Sequence, residues 1–290
     1  MNESFDFKAI GTSWHIEFNI SESIATEKII LLVKDRIELF EQHYSRFRED
    51  SFVGRIAQQA GVYELPADAE NMLALYRRLY DITEGKVTPL IGEVLVAVGY
   101  DKDYSLTPQQ DIKKAPLWDD VMSYNAPLLT AQRPLQLDFG ALGKGYIVDI
   151  IAALFQIYDI RDYMINAGGD IAYSTTIQNV FSVGLEDPAD QTKIIGVAEL
   201  INKSIAGSSG NRRAWNKYHH IIDPELVESP RHIAAVWVVA DTTLLADALT
   251  TALFFTTPEI LKQYFDFEHV IVYNDRSAQK SDNFPGMLYS

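Results

Sequence analysis

Two short segments carry residues whose types and spacing suit chemistry. The first, 134–154, reads PLQLDFGALGKGYIVDIIAAL. A mostly apolar run ends at Asp138. Gly140, Gly143 and Gly145 follow with Lys144 among them, and an amphipathic helix is expected from near Tyr146. Glycines let a backbone approach a ligand closely, and the free N–H groups at a helix start favour an anion. A phosphate or pyrophosphate fits such a loop, and so does a plain strand-to-helix turn packed through its glycines. The loop is no Walker A motif, because Gly145 follows Lys144 where Ser or Thr is required. The second segment, 246–253, reads ADALTTAL. Asp247 and Thr251 are four apart and share a helix face. Carboxylate and hydroxyl oxygens are hard ligands, suited to Mg²⁺ over zinc. The same pair can equally be an ordinary exposed i, i+4 pair, and Thr250 competes with Thr251 for the role.

Three further segments hold polar groups with both a chemical and a structural reading. His219 and His220 precede IIDP, where a histidine at a strand edge can serve as a general base or simply pack. Asp223 before Pro224 suits a turn. Residues 206–213, AGSSGNRR, offer Ser208, Ser209 and Arg212 to an anion, or form a solvated loop. In AGGD, residues 167–170, Gly168 and Gly169 read as a tight turn.

These segments need a scaffold. The pattern predicts strands at 14–20, 134–139, 163–166, 181–185, 196–200, 232–239 and 269–273. It predicts helices at 23–49, 68–84, 146–158, 243–255 and 258–265. Residues 102–134 read as irregular surface with one short strand. Strands and helices that do not alternate strictly indicate an α+β fold. A single domain over 1–290 is expected, built of two interlocked α/β subdomains with mixed sheets and a boundary near 100–130.

Composition narrows the function. The 290 residues carry 25 basic and 40 acidic side chains, a net charge of −15, which disfavours nucleic acid and anionic membranes. Any anionic ligand then needs a local cation or backbone dipoles. With no cysteine, disulfides, thiolate catalysis and cysteine–metal sites are excluded. The first residues lack the basic and apolar regions of a signal peptide, and no apolar run is long enough for a membrane anchor. A cytoplasmic location is the expectation.

The segments GTSWHIEF, YSRFREDS, LDFGALGKGYIVD, MINAGGDI, AGSSGNRR, HHIIDP and ADALTTAL occur in this order from Gly11 to Leu253. The series resembles the ApbE family of FAD:protein FMN transferases. The resemblance implies an ApbE-like fold. It also implies an enzyme that uses Mg²⁺ and takes FAD as substrate, attaching FMN through its phosphate to a Thr or Ser hydroxyl in the flavinylation motif of an acceptor protein and releasing AMP. Some relatives instead hydrolyse FAD to FMN and AMP, and a non-catalytic flavin-binding protein is a third reading. By the same resemblance Asp247, Thr251 and the main-chain oxygen of Ala141 would hold the metal, and His220 would take the acceptor's proton. Ile10, Ser45, Arg46, Phe47, Lys144 and Ile222 would contact FAD. Thr88 stands where the family commonly has Asp, and Glu84 is the carboxylate nearby that would replace it. The chain also departs after Pro224, where HIIDPELVES replaces the usual Thr-Gly continuation. No acceptor motif is evident in the chain itself, so action on a separate protein is expected.

Overall fold

The structure, a computed structural model, describes residues 2–21, 25–211 and 213–289. In chain order the first half contains β1 (Asn2–Ala9), β2 (Thr12–Asn19), α1 (Thr26–Tyr44), α2 (Phe52–Gln58), β3 (Gly61–Glu64) and α3 (Ala69–Ile82). Then follow α4 (Gly92–Ala97), α5 (Trp118–Val121), β4 (Met122–Asn125), β5 (Leu128–Ala131) and α6 (Gly143–Ile157). The second half contains β6 (Tyr163–Ala167), β7 (Asp170–Ser174), β8 (Phe181–Asp187), β9 (Asp190–Leu200) and β10 (Ser204–Ser209). It continues through β11 (Ala214–Trp215), β12 (Tyr218–His219), β13 (Ile233–Ala240), α7 (Thr243–Ala252), α8 (Pro258–Leu261), β14 (Glu268–Tyr273), β15 (Ala278–Lys280) and β16 (Gly286–Leu288).

An eight-stranded sheet in the order β1-β2-β6-β7-β10-β13-β14-β15 is the frame. Helices α6 and α7 lie together against it, packed on β6, β7, β10 and β13. A three-stranded sheet β16-β9-β8 and a second one, β3-β5-β4, flank the frame. The α+β class expected from the sequence holds. The described strand pairs are all antiparallel, so the sheets are not mixed as expected. The main hydrophobic core runs from Trp14 to Ile271 and draws residues from both sides of 100–130, including Leu79, Val121, Ile151 and Leu249.

Several elements differ from the sequence expectation. Residues 134–139 form no strand, although Leu135, Leu137 and Phe139 alternate inward. Their backbone bonds go to loops: Leu135 N–H donates to Ile56 O at 3.0 Å and Asp138 N–H to Pro89 O at 2.8 Å. Alternation reports burial of one face and says nothing of a neighbouring strand. The region 102–134, expected to hold one short strand, holds two, and both pair within the β3-β5-β4 sheet. Helix α1 stops at Tyr44, short of the expected end at 49, because the Ser45 carbonyl accepts from Ser51 Oγ at 2.7 Å and the chain turns there. The start of that expected helix, at residues 23 and 24, lies outside the described residues. Helix α6 begins three residues before the expected Tyr146.

The closest element packing positions the site. Thr243 and Leu244 N–H groups at the start of α7 both donate to the Asp149 carboxylate of α6 at 2.8 Å. This cap fixes one helix against the other. Gly145 sits at the crossing, where a Cβ would stand 2.2 Å from Thr243 O and 2.8 Å from Asp247 Cβ. Gly145→Ala should therefore part the helices and lower stability by about 1–3 kcal/mol, the usual cost of overpacking. Gly143→Ala, whose Cβ would meet only the Phe40 ring at 3.4 Å and Phe139 Cβ at 3.8 Å, should be neutral or stabilising. Urea unfolding of the two variants checks the contrast; equal loss in both would refute the close-approach account.

Candidate active site

A cavity of about 510 Å³ opens between the glycine loop, α7, the 86–91 segment and the β10–β12 region. Ile10, Phe47, Thr88, Ala141, Lys144, His220, Ile222, Asp247 and Thr251, expected from the sequence as site residues, all line it. They come from six separate parts of the chain. Ser45, Arg46 and Glu84 do not line it: Ser45 caps α1, and Glu84 is exposed in a left-handed turn at φ 52°.

Asp247 is 2% exposed. Its Oδ2 accepts from Gly145 N–H at 3.0 Å, and its Oδ1 lies 3.3 Å from Lys144 Nζ. Burial pushes the Asp247 carboxyl up to about 7; Asp170 adds to the rise, and Lys144 opposes it. The two threonines of this helix differ in their surroundings. Its Oγ1 reaches Ala141 O at 3.3 Å, beside the cavity. Thr250 is turned away, with Oγ1 donating to Asp247 O at 2.7 Å and lying 2.9 Å from Ser208 Oγ. One carboxylate, one hydroxyl and one carbonyl thus gather where α7 meets the glycine loop. This hard oxygen set suits Mg²⁺, and a buried carboxylate held next to an ammonium is one already adapted to a cation. Among the described residues no group of three or more His, Asp or Glu side chains could hold a metal ion, here or elsewhere.

At the glycine loop, several groups that could meet an anion have partners within the protein. Gly143 N–H donates to Phe139 O and Gly145 N–H to Asp247, so these donors are already used. Lys144 forms ion pairs with both Asp170 and Asp247. Burial disfavours its charge, yet the two carboxylates together raise its pKa. Asp170, 1% exposed, escaped the sequence reading because AGGD resembles a turn; its Oδ1 has no hydrogen-bond partner.

The adjacent histidines differ sharply. His219 Nε2 reaches Pro230 O at 3.0 Å, and its Nδ1 accepts from Ile221 N–H at 3.3 Å, so both ring nitrogens are engaged. His220 lines the cavity, half-buried, and its shielded Nδ1 has no partner. Burial, with Arg213, His219 and Lys144 nearby, pushes His220 down to about 3, leaving a neutral imidazole. The β11–β12 hairpin that carries this pair is anchored by Trp215, whose Nε1 donates to Val98 O at 2.8 Å and whose ring stacks on Tyr100.

Arg46 acts from behind the wall. Its guanidinium is buried, pairs with Asp138 and donates to Tyr100 O at 2.8 Å. Asp138 in turn accepts from Gly140 N–H at 2.8 Å, which braces the glycine loop. The same guanidinium lies 4.2 Å from the Phe47 ring centroid, and Phe47 stacks on Tyr104. Phe47 and Tyr100 therefore give the cavity an aromatic wall. Ser208 and Ser209 line the cavity, but their hydroxyls are already bonded to Thr250 and Asn211. Arg212 lies outside the described residues. Asp223 takes the turn role, accepting from Glu225 and Leu226 N–H at 2.9 and 3.0 Å and pairing with Lys86 at 3.1 Å.

A protonated Asp247 cannot ligate a cation, so a proton and Mg²⁺ compete below its pKa. Mg²⁺ affinity of the protein alone should be about tenfold weaker at pH 6 than at pH 8. Calorimetric titration with MgCl₂ measures it; a flat profile would remove Asp247 from the cation site.

The profile of the ApbE family matches residues 10–272. A protein of Haemophilus influenzae named FAD:protein FMN transferase is 28% identical over 282 residues, covering 87% of this chain and 80% of its own. Among solved structures, the flavin transferase ApbE of Vibrio cholerae aligns with a TM-score of 0.81, at 19% identity and 98% coverage of both chains. The ApbE protein of Thermotoga maritima aligns with a TM-score of 0.85, at 19% identity and 97% coverage of both.

Proposed function

The chain belongs to the ApbE family, and from that premise we propose that it is an FAD:protein FMN transferase, moving FMN from FAD to an acceptor protein. The observation that carries this reading is the convergence on one cavity of Asp247, Thr251, the Ala141 carbonyl and a neutral His220. Asp247, Thr251 and Ala141 O would hold Mg²⁺, which supplies charge neutralisation on the pyrophosphate oxygens when bound.

The chain's own groups do the rest. Phe47 and Tyr100 give the isoalloxazine an aromatic wall, and Ile10 and Ile222 add apolar contact. Thr88, whose Oγ1 already accepts from Leu90 N–H at 3.2 Å, lines the cavity with a hydroxyl in place of the family's common carboxylate. Lys144 lines the cavity beside Asp247 and is paired with that carboxylate and with Asp170. His220 takes the proton from an acceptor Thr or Ser hydroxyl. The acceptor oxygen forms a bond to the FMN phosphorus while the bridging oxygen–phosphorus bond to AMP breaks, and AMP leaves with that electron pair. The new linkage is a phosphoester. An in-line displacement of this kind rests on positioning and charge stabilisation, so few side chains suffice. Arg46 and Asp138 contribute by holding the glycine loop and Phe47 in place.

Purified protein given FAD, MgCl₂ and an acceptor should release AMP and add to the acceptor the mass of FMN less one water, both abolished by EDTA. Asp247→Asn should lower this rate by about 100-fold or more. His220→Gln should lower it by about 10²–10⁴-fold with FAD affinity unchanged. AMP release without any mass gain on the acceptor would replace the transferase reading with FAD hydrolysis. Normal transfer by His220→Gln would move the base elsewhere.

A further inference from the structure

A second and wider cleft, of about 1120 Å³, adjoins the flavin cavity and has no role in the reading above. Successive residues of the same segments divide between the two hollows. Glu186, Ser209, Arg213 and His220 line the flavin cavity, while Asp187, Gly210, Ala214 and His219 line the cleft. The two are separated by a wall one chain thick, with the His219–His220 pair in it.

The cleft reverses the sign of the protein. Lys193, Lys217, Arg231 and Arg276 line it against Asp187 and Asp190. Asp190 pairs with Lys193 at 2.8 Å, and Asp187 accepts from Ala189 N–H at 2.8 Å. Among the described residues Lys217, Arg231 and Arg276 have no carboxylate partner. They come from the β11–β12 turn, the approach to β13 and the turn after β14, so their charge is spread along the cleft. Spread cations suit a polypeptide with several carboxylates better than one compact anion.

We propose that this cleft docks the acceptor protein through an extended acidic segment, so that a Thr or Ser carried past the His219–His220 wall enters the flavin cavity beside His220. The proposal rests on the transferase reading for what the segment is, and on the charges of the cleft for where it binds. Continuity with the wall that holds His220 is what connects docking to transfer.

The test uses the full chain and two fluorescein-labelled peptides that share one Gly/Ser/Thr core, one flanked by Asp and the other by Lys. Anisotropy titrations at low and high salt give their affinities. The Asp peptide should bind at least about tenfold more tightly, with the preference shrinking at high salt. The triple variant Lys217→Glu, Arg231→Glu, Arg276→Glu should abolish or invert that preference, while FAD binding, read by flavin fluorescence, stays within about twofold. The single variant Arg276→Glu, on an exposed turn, should weaken the Asp peptide about threefold and guards against misfolding of the triple variant. Equal binding of both peptides, or an Asp preference untouched in Arg276→Glu and in a triple variant that still binds FAD, overturns the docking site. Release of AMP and acceptor mass are read separately: a wild type that prefers the Asp peptide yet transfers FMN to no acceptor keeps the docking site and loses the transferase reading.

Discussion

The site depends on one close approach, that of α6 to α7 at Gly145. Only a residue without a side chain lets the backbone of α6 donate directly to a buried carboxylate on the next helix. That hydrogen bond fixes one oxygen of Asp247, and Lys144, one residue earlier, meets the other. The same crossing places Ala141 O against Thr251. A helix pair held apart by one methyl group would lose this hydrogen bond and the placing of Asp247 that depends on it. The Asp149 cap on α7 works in the same direction, since it spends two otherwise free N–H groups to lock the helices in register.

A chain with excess negative charge has to solve a second problem before it can hold an anionic dinucleotide. Here it does so with compensated charge. Lys144 is buried between Asp170 and Asp247, and Arg46 is buried against Asp138. Neither cation is free, and each orders an acid that in turn orders the loop. Buried carboxylates of this kind are costly unless paired and hydrogen-bonded. The cost is offset by the geometry it enforces, because a loop tied down through Asp138 at one end and Asp247 at the other cannot drift relative to α7.

The sequence was most informative where chemistry and local pattern coincide. Asp247 and Thr251 were legible as one helix face, and the glycine loop was legible as a place of close approach. What it approaches was not legible: an anion and a plain packed turn fitted the loop equally, and its N–H groups serve Asp138, Phe139 O and Asp247. Asp170 was hidden because its partner Lys144 lies 26 residues away and only the β6–β7 hairpin brings them together. Residues 134–139 misled in the opposite way, with the alternation of a strand and no strand to pair with. Local periodicity encodes which side of a segment is buried; the partner is a property of the whole fold.

The two histidines show the same division between sequence and fold at the scale of one peptide bond. Nothing in HHIIDP separates His219 from His220. The fold separates them through Trp215, which pins the hairpin to Val98 and Tyr100 and so fixes which ring faces which hollow. One ring is then bound to Pro230 and Ile221 and becomes part of the scaffold. The other keeps an unpartnered nitrogen, and burial beside Arg213 and Lys144 holds it neutral. A neutral imidazole can accept a proton, and that is what the role proposed for His220 requires.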